Sequence, residues 1–542
     1  MNNRKMMIGK KITALLCAGL LIAGIFSGSC MSAQAAEQDS ADEIVLRVCN
    51  WEEYIDEGDW DEEEEIDLPS GGIIGELPVT EDFEEWYEET YGQRVRVEYS
   101  TFGTNEDLYN MLTLGDVFDL VCPSEYMIMK LMAEQQLVPL SESFFDEEDE
   151  NNYYIKGVSP YIRDIFDTQE INGEAWGKYA AGYMWGVTGF VYNPEAVSEE
   201  DASTWQILND SAFKRQVTIK DNVRDSYFAA VGALKSDLLL SESFRSDPDY
   251  KKNLEREMND TSPEMIAQVQ DYLQSVKDNV YSFETDAGKA DMITGKVVAN
   301  YQWSGDGVYT LDQADEDDYE LAFAVPKECT NIYFDGWVML RSGVEGDSTK
   351  QHAAEAFINF NSRPDIAIRN MYYIGYTSVL SGGEDPRIFE YAEYNYGAEE
   401  EEDLTEEEDA AEEETSEEED AAEEEGNAGE TDASGEEIIE YDISYFFGGE
   451  DCEDGTYVIV APAEAMHRQL FAAYPTREVL NRSSVMIYFT PEQNAAINRM
   501  WVNVRCYNIR SVPVWAWILI LLLIAGAVFA YTKIRKRFYG VG

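Results

Sequence analysis

Two histidines, His352 and His467, are all that 542 residues provide. They lie far apart in the chain, so a Ser/His/Asp or Cys/His centre, or a histidine-rich zinc site, has almost no material. Of seven cysteines, Cys17 and Cys30 fall in the first 36 residues. The other five, Cys49, Cys122, Cys329, Cys452 and Cys506, are an odd number without CxxC spacing, which is neither a metal framework nor a disulfide scaffold. Cys49 and Cys122 each end a strand-like apolar run; they can pair if those strands are neighbours, or stay as buried thiols. Neither GxGxxG nor a Walker glycine loop occurs, so nucleotide binding by those motifs is not expected. The reactive groups present in quantity are carboxylates: 108 Asp and Glu against 39 Lys and Arg, a net charge of −69. That surface repels nucleic acid and suits cationic ligands or bulk solubility. The chain is not expected to be an enzyme, nor to hold a cofactor or metal.

The elements that must position these groups begin with the chain's ends. Arg4, Lys5, Lys10 and Lys11, the apolar run Thr13 to Phe26 and the small residues Ser32 to Ala36 read as a signal peptide over 1–36, cleaved after Ala35. Cys30 is the alternative lipid site, but Ser27-Gly28-Ser29 before it lacks a branched aliphatic residue. Residues 512–531 form a nearly unbroken apolar stretch, long enough to cross the roughly 30 Å hydrocarbon core as a helix. Trp515 and Trp517 flank one side and Lys533, Arg535, Lys536 and Arg537 the other, which places a tail at 532–542 in the cytoplasm and the body outside the cell.

Between the ends, hydrophobic residues at 44% and aromatics at 13% can build a core, and the length suits two or three domains. Residues 399–440 carry 24 Asp or Glu and no Lys or Arg, a composition expected to stay a solvated, disordered insertion. A shorter acidic patch runs from Asp56 to Glu65. Elsewhere strands alternate with helices. Strands are expected at Glu43 to Cys49, Arg94 to Tyr99, Val117 to Cys122, Gln216 to Ile219 and Val297 to Gln302. Helices are expected at Phe83 to Tyr91, Asn105 to Leu114, Met127 to Gln136, Tyr227 to Leu240, Pro263 to Asn279, Ala353 to Asn361 and Pro364 to Tyr373. Asp312 to Glu320, with alternating carboxylates but no calcium-loop glycine, reads as a solvated strand end. The rhythm predicts an α/β fold with parallel sheet.

Several ordered blocks then resemble the spermidine/putrescine-binding proteins of polyamine ABC transporters. They are Asn50 to Ile55, Tyr99 to Tyr109, Phe118 to Tyr126, Tyr183 to Gly189, Ser203 to Trp205, Asp221 to Asp225, Tyr301 to Gly305, Asp335 to Trp337 and Ile374 to Thr377. The resemblance covers about Val45 to Tyr376 and, more loosely, the chain to about Val504. It implies a two-lobed type II periplasmic-binding fold that closes over its ligand. The chain would cross between lobes at Gly186 to Thr188 and return near Asp335. Lobe one would hold 44–186 and 336–385, and lobe two 187–335 and 441–508.

Polyamines are aliphatic rods with ammonium groups at intervals. Aromatic walls suit the methylenes and attract the ammoniums by about 0.5–2 kcal/mol each, while carboxylates anchor the ends. On the resemblance, Trp51, Tyr54, Tyr126, Trp303, Tyr333 and Tyr376 supply walls or hydroxyls. Asp225 and Asp335 supply ammonium anchors, Ser124 a polar contact, and Glu125 is either an extra anchor or a solvated neighbour. Asn222 stands where the family has an aspartate, Asp225 where it has a glutamate, and Tyr333 where a Trp is common. One fewer charge in lobe two shifts the expected preference toward putrescine. The family's C-terminal ligand-contacting Gln has no counterpart in Asn481 to Tyr488. The chain is thus expected to be a membrane-tethered extracytoplasmic receptor delivering a polyamine to a separate permease and ATPase. The alternatives are a receptor for another small solute, or a surface protein whose acidic insertion binds cations or a partner.

Overall fold

A computed structural model describes residues 43–61, 64–398, 437–448 and 452–506. The expected signal peptide, most of the acidic insertion, the 512–531 span and the cytoplasmic tail lie outside the described residues. Among the described residues, no helix is long and apolar enough to cross a membrane.

The alternation read from the sequence forms a run of strand–helix units. They are β1 (Ile44–Trp51), α1 (Val79–Tyr91), β2 (Val95–Phe102), α2 (Asn105–Leu114), β3 (Leu120–Val121) and α3 (Glu125–Ala133). A long strand, β4 (Ala180–Tyr192), follows, then β5 (Val217–Lys220), α4 (Val223–Leu234), α5 (Pro263–Asn279) and β6 (Ser282–Glu284). Next come β7 (Ala299–Trp303), α6 (Ser304–Glu316), β8 (Ala322–Ala324) and a second long strand, β9 (Thr330–Leu340). Helices α7 (Ser348–Asn361), α8 (Pro364–Ile374) and α9 (Arg387–Tyr396) precede the insertion; the hairpin β10 (Ile438–Asp442) and β11 (Val458–Pro462) and helix α10 (Pro491–Cys506) follow it.

The main sheet runs β2-β1-β3-β9-β4-β7-β5-β6. At one side β1 pairs in parallel with β2 and β3; at the other β5 pairs in parallel with β6 and β7. The two groups meet through β4 and β9, which are antiparallel to each other. β9 is antiparallel to β3, and β4 to β7, so the two parallel groups point in opposite directions and their carboxyl ends converge. Residues 180–187 of β4 pair with β9, and residues 188–192 pair with β7. The strand therefore passes from one group to the other at Val187–Thr188. Every residue of β4 and β9 is buried, the continuous pattern of a strand covered on both faces rather than the period-two pattern of a half-exposed one.

Cys49 and Cys122 do lie on neighbouring strands, and the Cys122 amide donates to the Cys49 carbonyl at 3.2 Å. Both are nevertheless free and buried, and burial pushes the Cys49 thiol up to about 11. Two expectations need correction. Asp312 to Glu316 sit on helix α6, not at a strand end, because Val308, Leu311 and Ala314 recur at helical spacing and are buried. The charged residues serve the outer face, where Asp315 pairs with Arg468 and Asp312 accepts from Gln469 at 3.2 Å. Residues 437–440 are not part of a disordered insertion: Ile439 and Tyr441 pair with Ala461 and Ile459, and the apolar residues among the last acidic ones suffice for a strand.

The segment after the insertion touches both sheet groups. Phe446 stacks on Trp185 at 5.4 Å, and Ser159 donates to its carbonyl at 2.5 Å. Ser483 and Ser484 pair with Thr330 and Asn331, and α10 lies on α5, where Lys277 donates to the Val504 carbonyl at 2.7 Å.

Candidate functional site

Open α/β sheets present ligand-binding loops beyond the carboxyl ends of their strands. Here two such edges face each other. From the first group come Trp51, which ends β1, Tyr54 in the loop after it, and Ser124, the N-cap of α3. From the second come the Lys220–Asp225 turn between β5 and α4, and Trp303, which ends β7 and caps α6. Asn222 explains the turn: its side chain accepts from the Arg224 and Asp225 amides at 2.8 and 3.4 Å. It is an N-cap, and this fixes where Asp225 points.

Asp335 lies between these edges on β9. The pairing with β4 shifts register between Asp335 and Gly336, and a β-bulge of this kind re-aims a side chain. The carboxylate is buried, and accepts from Tyr54 Oη at 2.8 Å and Ser124 Oγ at 2.7 Å. Burial pushes Asp335 up to about 6, against those two hydrogen bonds. Glu125 is adjacent and is not solvated; it is 1% exposed. Burial, reinforced by the Asp335 charge, pushes it up to about 8. Its Oε2 accepts from the Phe334 amide at 3.3 Å while Oε1 has no hydrogen-bond partner. Among the described residues, no Lys or Arg forms an ion pair with either carboxylate.

The aromatic walls converge on the same point. Tyr54 meets Tyr376 edge-on at 5.2 Å, and Tyr376 lies 6.2 Å from Tyr333. Tyr376 follows Gly375, whose left-handed backbone (φ 82°) ends α8. Its ring lies flat against Gly305, where a Cβ would stand 2.0 Å from it. Only glycine admits this contact.

The second edge carries its own cations. Lys220 Nζ stands 3.7 Å from the centre of the Trp303 ring and donates to Asp306 Oδ2 at 3.4 Å. Asp225 is buried and pushed up to about 6 by that burial, which Lys220 and a hydrogen bond from Trp303 oppose. The Arg224 guanidinium lies between the Tyr126 and Phe489 rings, 4.4 and 3.7 Å from their centres. Tyr126 also donates to Glu106 at 3.3 Å. Tyr126, Arg224, Glu106 and Phe489 line a cavity of about 250 Å³ beside the site. Trp51 stands apart from this network, tilted against Phe102 at 4.7 Å, with its buried indole N–H unpartnered.

Thus Tyr54, Ser124, Asp335, Tyr333 and Tyr376 form one contiguous group, Trp303 and Asp225 a second, and Tyr126 reaches the second through Arg224. The sequence reading missed Lys220, Arg224 and Asp306. Lys220 and Asp306 had a detectable signal, a charged residue at a strand's carboxyl end and one in a helix's first turn, directly beside blocks already singled out.

Such a site suits an elongated organic cation: buried carboxylates that resist ionisation, and ring faces and hydroxyls between them. The bacterial extracellular solute-binding protein family model matches residues 80–391. The chain is 24% identical over 360 residues to the spermidine/putrescine-binding periplasmic protein of Salmonella typhimurium, covering 66% of this chain and 82% of that one. It is 22% identical over 367 residues to a putrescine-binding periplasmic protein of Escherichia coli, covering 66% and 84%. Two solved structures share the fold. One is a spermidine/putrescine ABC transporter substrate-binding protein of Streptococcus pneumoniae, with TM-score 0.50 and 21% identity over 86% of this chain and 99% of that one. The other is a Listeria monocytogenes protein described as a spermidine/putrescine ABC transporter, with TM-score 0.53 and 19% identity over 85% and 99%.

Proposed function

The chain belongs to the bacterial extracellular solute-binding protein family, and we propose that it is the extracytoplasmic receptor of a polyamine ABC transporter, with putrescine or spermidine as ligand. The observation that carries this reading is the Asp335–Glu125 pair, two buried carboxylates with hydroxyl donors and aromatic rings around them and, among the described residues, no ion-pair partner. An ammonium group placed there relieves their mutual repulsion and the cost of their burial together. Tyr54, Tyr333 and Tyr376 would flank the methylenes, and Trp51, Tyr126, Trp303 and Asp225 would complete the cleft. Lobe one would comprise 44–186 and 336–385, and lobe two 187–335 with most of 441–508. Lobe closure over the ligand would present the loaded form to a separate permease and ATPase. The signal peptide at 1–36 and the span at 512–531 would export the body and tether it near that permease at high effective concentration. The family is one of solute carriers, which agrees with the scarcity of nucleophile–base pairs in the sequence.

A thermal-shift comparison tests the assignment. At about 100 times its dissociation constant a ligand stabilises the native state by about 2.7 kcal/mol. Putrescine or spermidine should raise the melting temperature while glutamate and citrate leave it unchanged. A shift with citrate and none with either amine would reverse the assignment.

The carboxylates also fix a pH dependence. Burial pushes Asp335 and Asp225 up to about 6 and, with the Asp335 charge beside it, Glu125 up to about 8, all above their ordinary values. The unfolded chain therefore ionises first, and the stability these groups give at low pH is lost as pH rises through their folded values. A bound ammonium favours the ionised forms, so affinity should rise between pH 5 and 8, by about tenfold per unit of coupled shift. Titration calorimetry near pH 6 in buffers of different ionisation enthalpy should register proton release on binding. Affinity that is flat across this range, with no proton exchange, would refute the role of these carboxylates.

A further inference from the structure

The two edges of the cleft differ in charge balance. At the second edge Asp306 already holds Lys220 at 3.4 Å and Lys289 at 3.3 Å, and Arg224 is buried near Asp225 and Glu106. At the first edge, among the described residues, neither Asp335 nor Glu125 forms an ion pair, and the Arg224 charge that acts on Glu125 opposes its burial only in part. One face of the Trp303 ring is already covered by the chain's own ammonium, Lys220.

Lys220 is held there firmly. Its side chain is 1% exposed, it springs from the last residue of β5, and besides Asp306 it donates to the Thr285 carbonyl at 3.3 Å. Asp306 in turn joins the two edges, since the Tyr376 hydroxyl hydrogen-bonds to it and the Tyr376 ring contacts Tyr54, which holds Asp335. Lys220 is thereby linked to Asp335 through Asp306, Tyr376 and Tyr54.

Resting on the polyamine reading above, we propose that Lys220 is a resident ammonium that fills the far subsite of the cleft, so that the receptor selects a short diamine over a longer triamine. The diamine sets one ammonium against Asp335 and Glu125 and ends before Trp303. The triamine must bring a third positive charge against Lys220, and like charges brought together in a desolvated site discriminate strongly. Lys220 acts as a specificity determinant, held in place by Trp303 and Asp306.

The test is titration calorimetry of the full chain and its Lys220→Met variant with putrescine and with spermidine. The variant removes the charge but keeps the aliphatic stem; Asp306 retains Lys289, and Asp225 retains the Arg224 charge. The wild type should bind putrescine about tenfold or more tightly than spermidine. In Lys220→Met the ratio should collapse or invert as spermidine gains. Wild-type binding of spermidine at least as tight as putrescine overturns the proposal whether or not the variant folds. So does an unchanged ratio in a variant whose far-ultraviolet dichroism and melting match the wild type. Either result leaves the polyamine assignment standing; binding of neither amine by the wild type overturns both.

Discussion

Replacing Asp335 with Asn should abolish most polyamine affinity while leaving the unliganded fold intact. Asparagine has the same shape, and its carbonyl oxygen can still accept from Tyr54 or Ser124, whose hydroxyls rotate to suit. What is lost is the charge. Removing one partner of a buried, hydrogen-bonded charge pair costs about 2–5 kcal/mol, which is about thirtyfold at the low end and on the order of a thousandfold toward the high end. The unliganded chain moves the other way. Burial holds the Asp335 carboxyl above its ordinary range, so at pH 8 the wild type bears an ionised group in an environment that opposes it, and the amide does not. Chemical unfolding at pH 8 should find Asp335→Asn at least as stable as wild type, with loss of binding measured on the same sample. A variant that binds putrescine normally would remove Asp335 from the site.

The second large effect is on stability. Arg369 on α8 donates to Asp56 Oδ2 through Nε at 2.8 Å and a terminal nitrogen at 2.6 Å, and reaches the Leu77 carbonyl and Asp82 at 2.6 and 2.5 Å. Arg369 is 4% exposed and Asp56 1%. The pair ties the loop that follows Trp51 and Tyr54 to the helix that ends in Gly375 and Tyr376, so two walls of the cleft share one ion pair. In Arg369→Met the packing volume is roughly kept but Asp56 stays buried with no cation, a change that costs about 3–5 kcal/mol. Urea unfolding should register that loss near neutral pH. It should shrink in acid, where Asp56, already pushed up by burial, is protonated and no longer needs the guanidinium. A loss under 1 kcal/mol would mean the loop is held by other contacts.

Much of this was legible in the sequence because local pattern and tertiary need agree there. The helices at Asn105–Leu114 and Pro263–Asn279 match residue for residue, since Gly115 and Pro263 punctuate them. The strands that carry Trp51, Lys220 and Trp303 are placed to within two residues by their apolar runs. What stayed hidden is tertiary in origin. The bulge that turns Asp335 into the cleft depends on register against β4, which no local spacing encodes. The roles of Lys220 and Arg224 emerge only with Trp303, Tyr126 and Phe489 folded over them. Asp56 heads what reads only as a short acidic patch, because its partner Arg369 lies more than 300 residues away. The same reasoning separates Asn222 from its neighbours: the missing carboxylate is a helix cap, and the charge balance of that edge is set by Lys220.

Titration of the full chain with putrescine, with alanine as control, tests the central claim most directly. Saturable one-to-one binding of the diamine is expected, absent with alanine and lost in Asp335→Asn. A folded protein that takes up alanine or neither compound, with putrescine heats no larger than dilution, would contradict it.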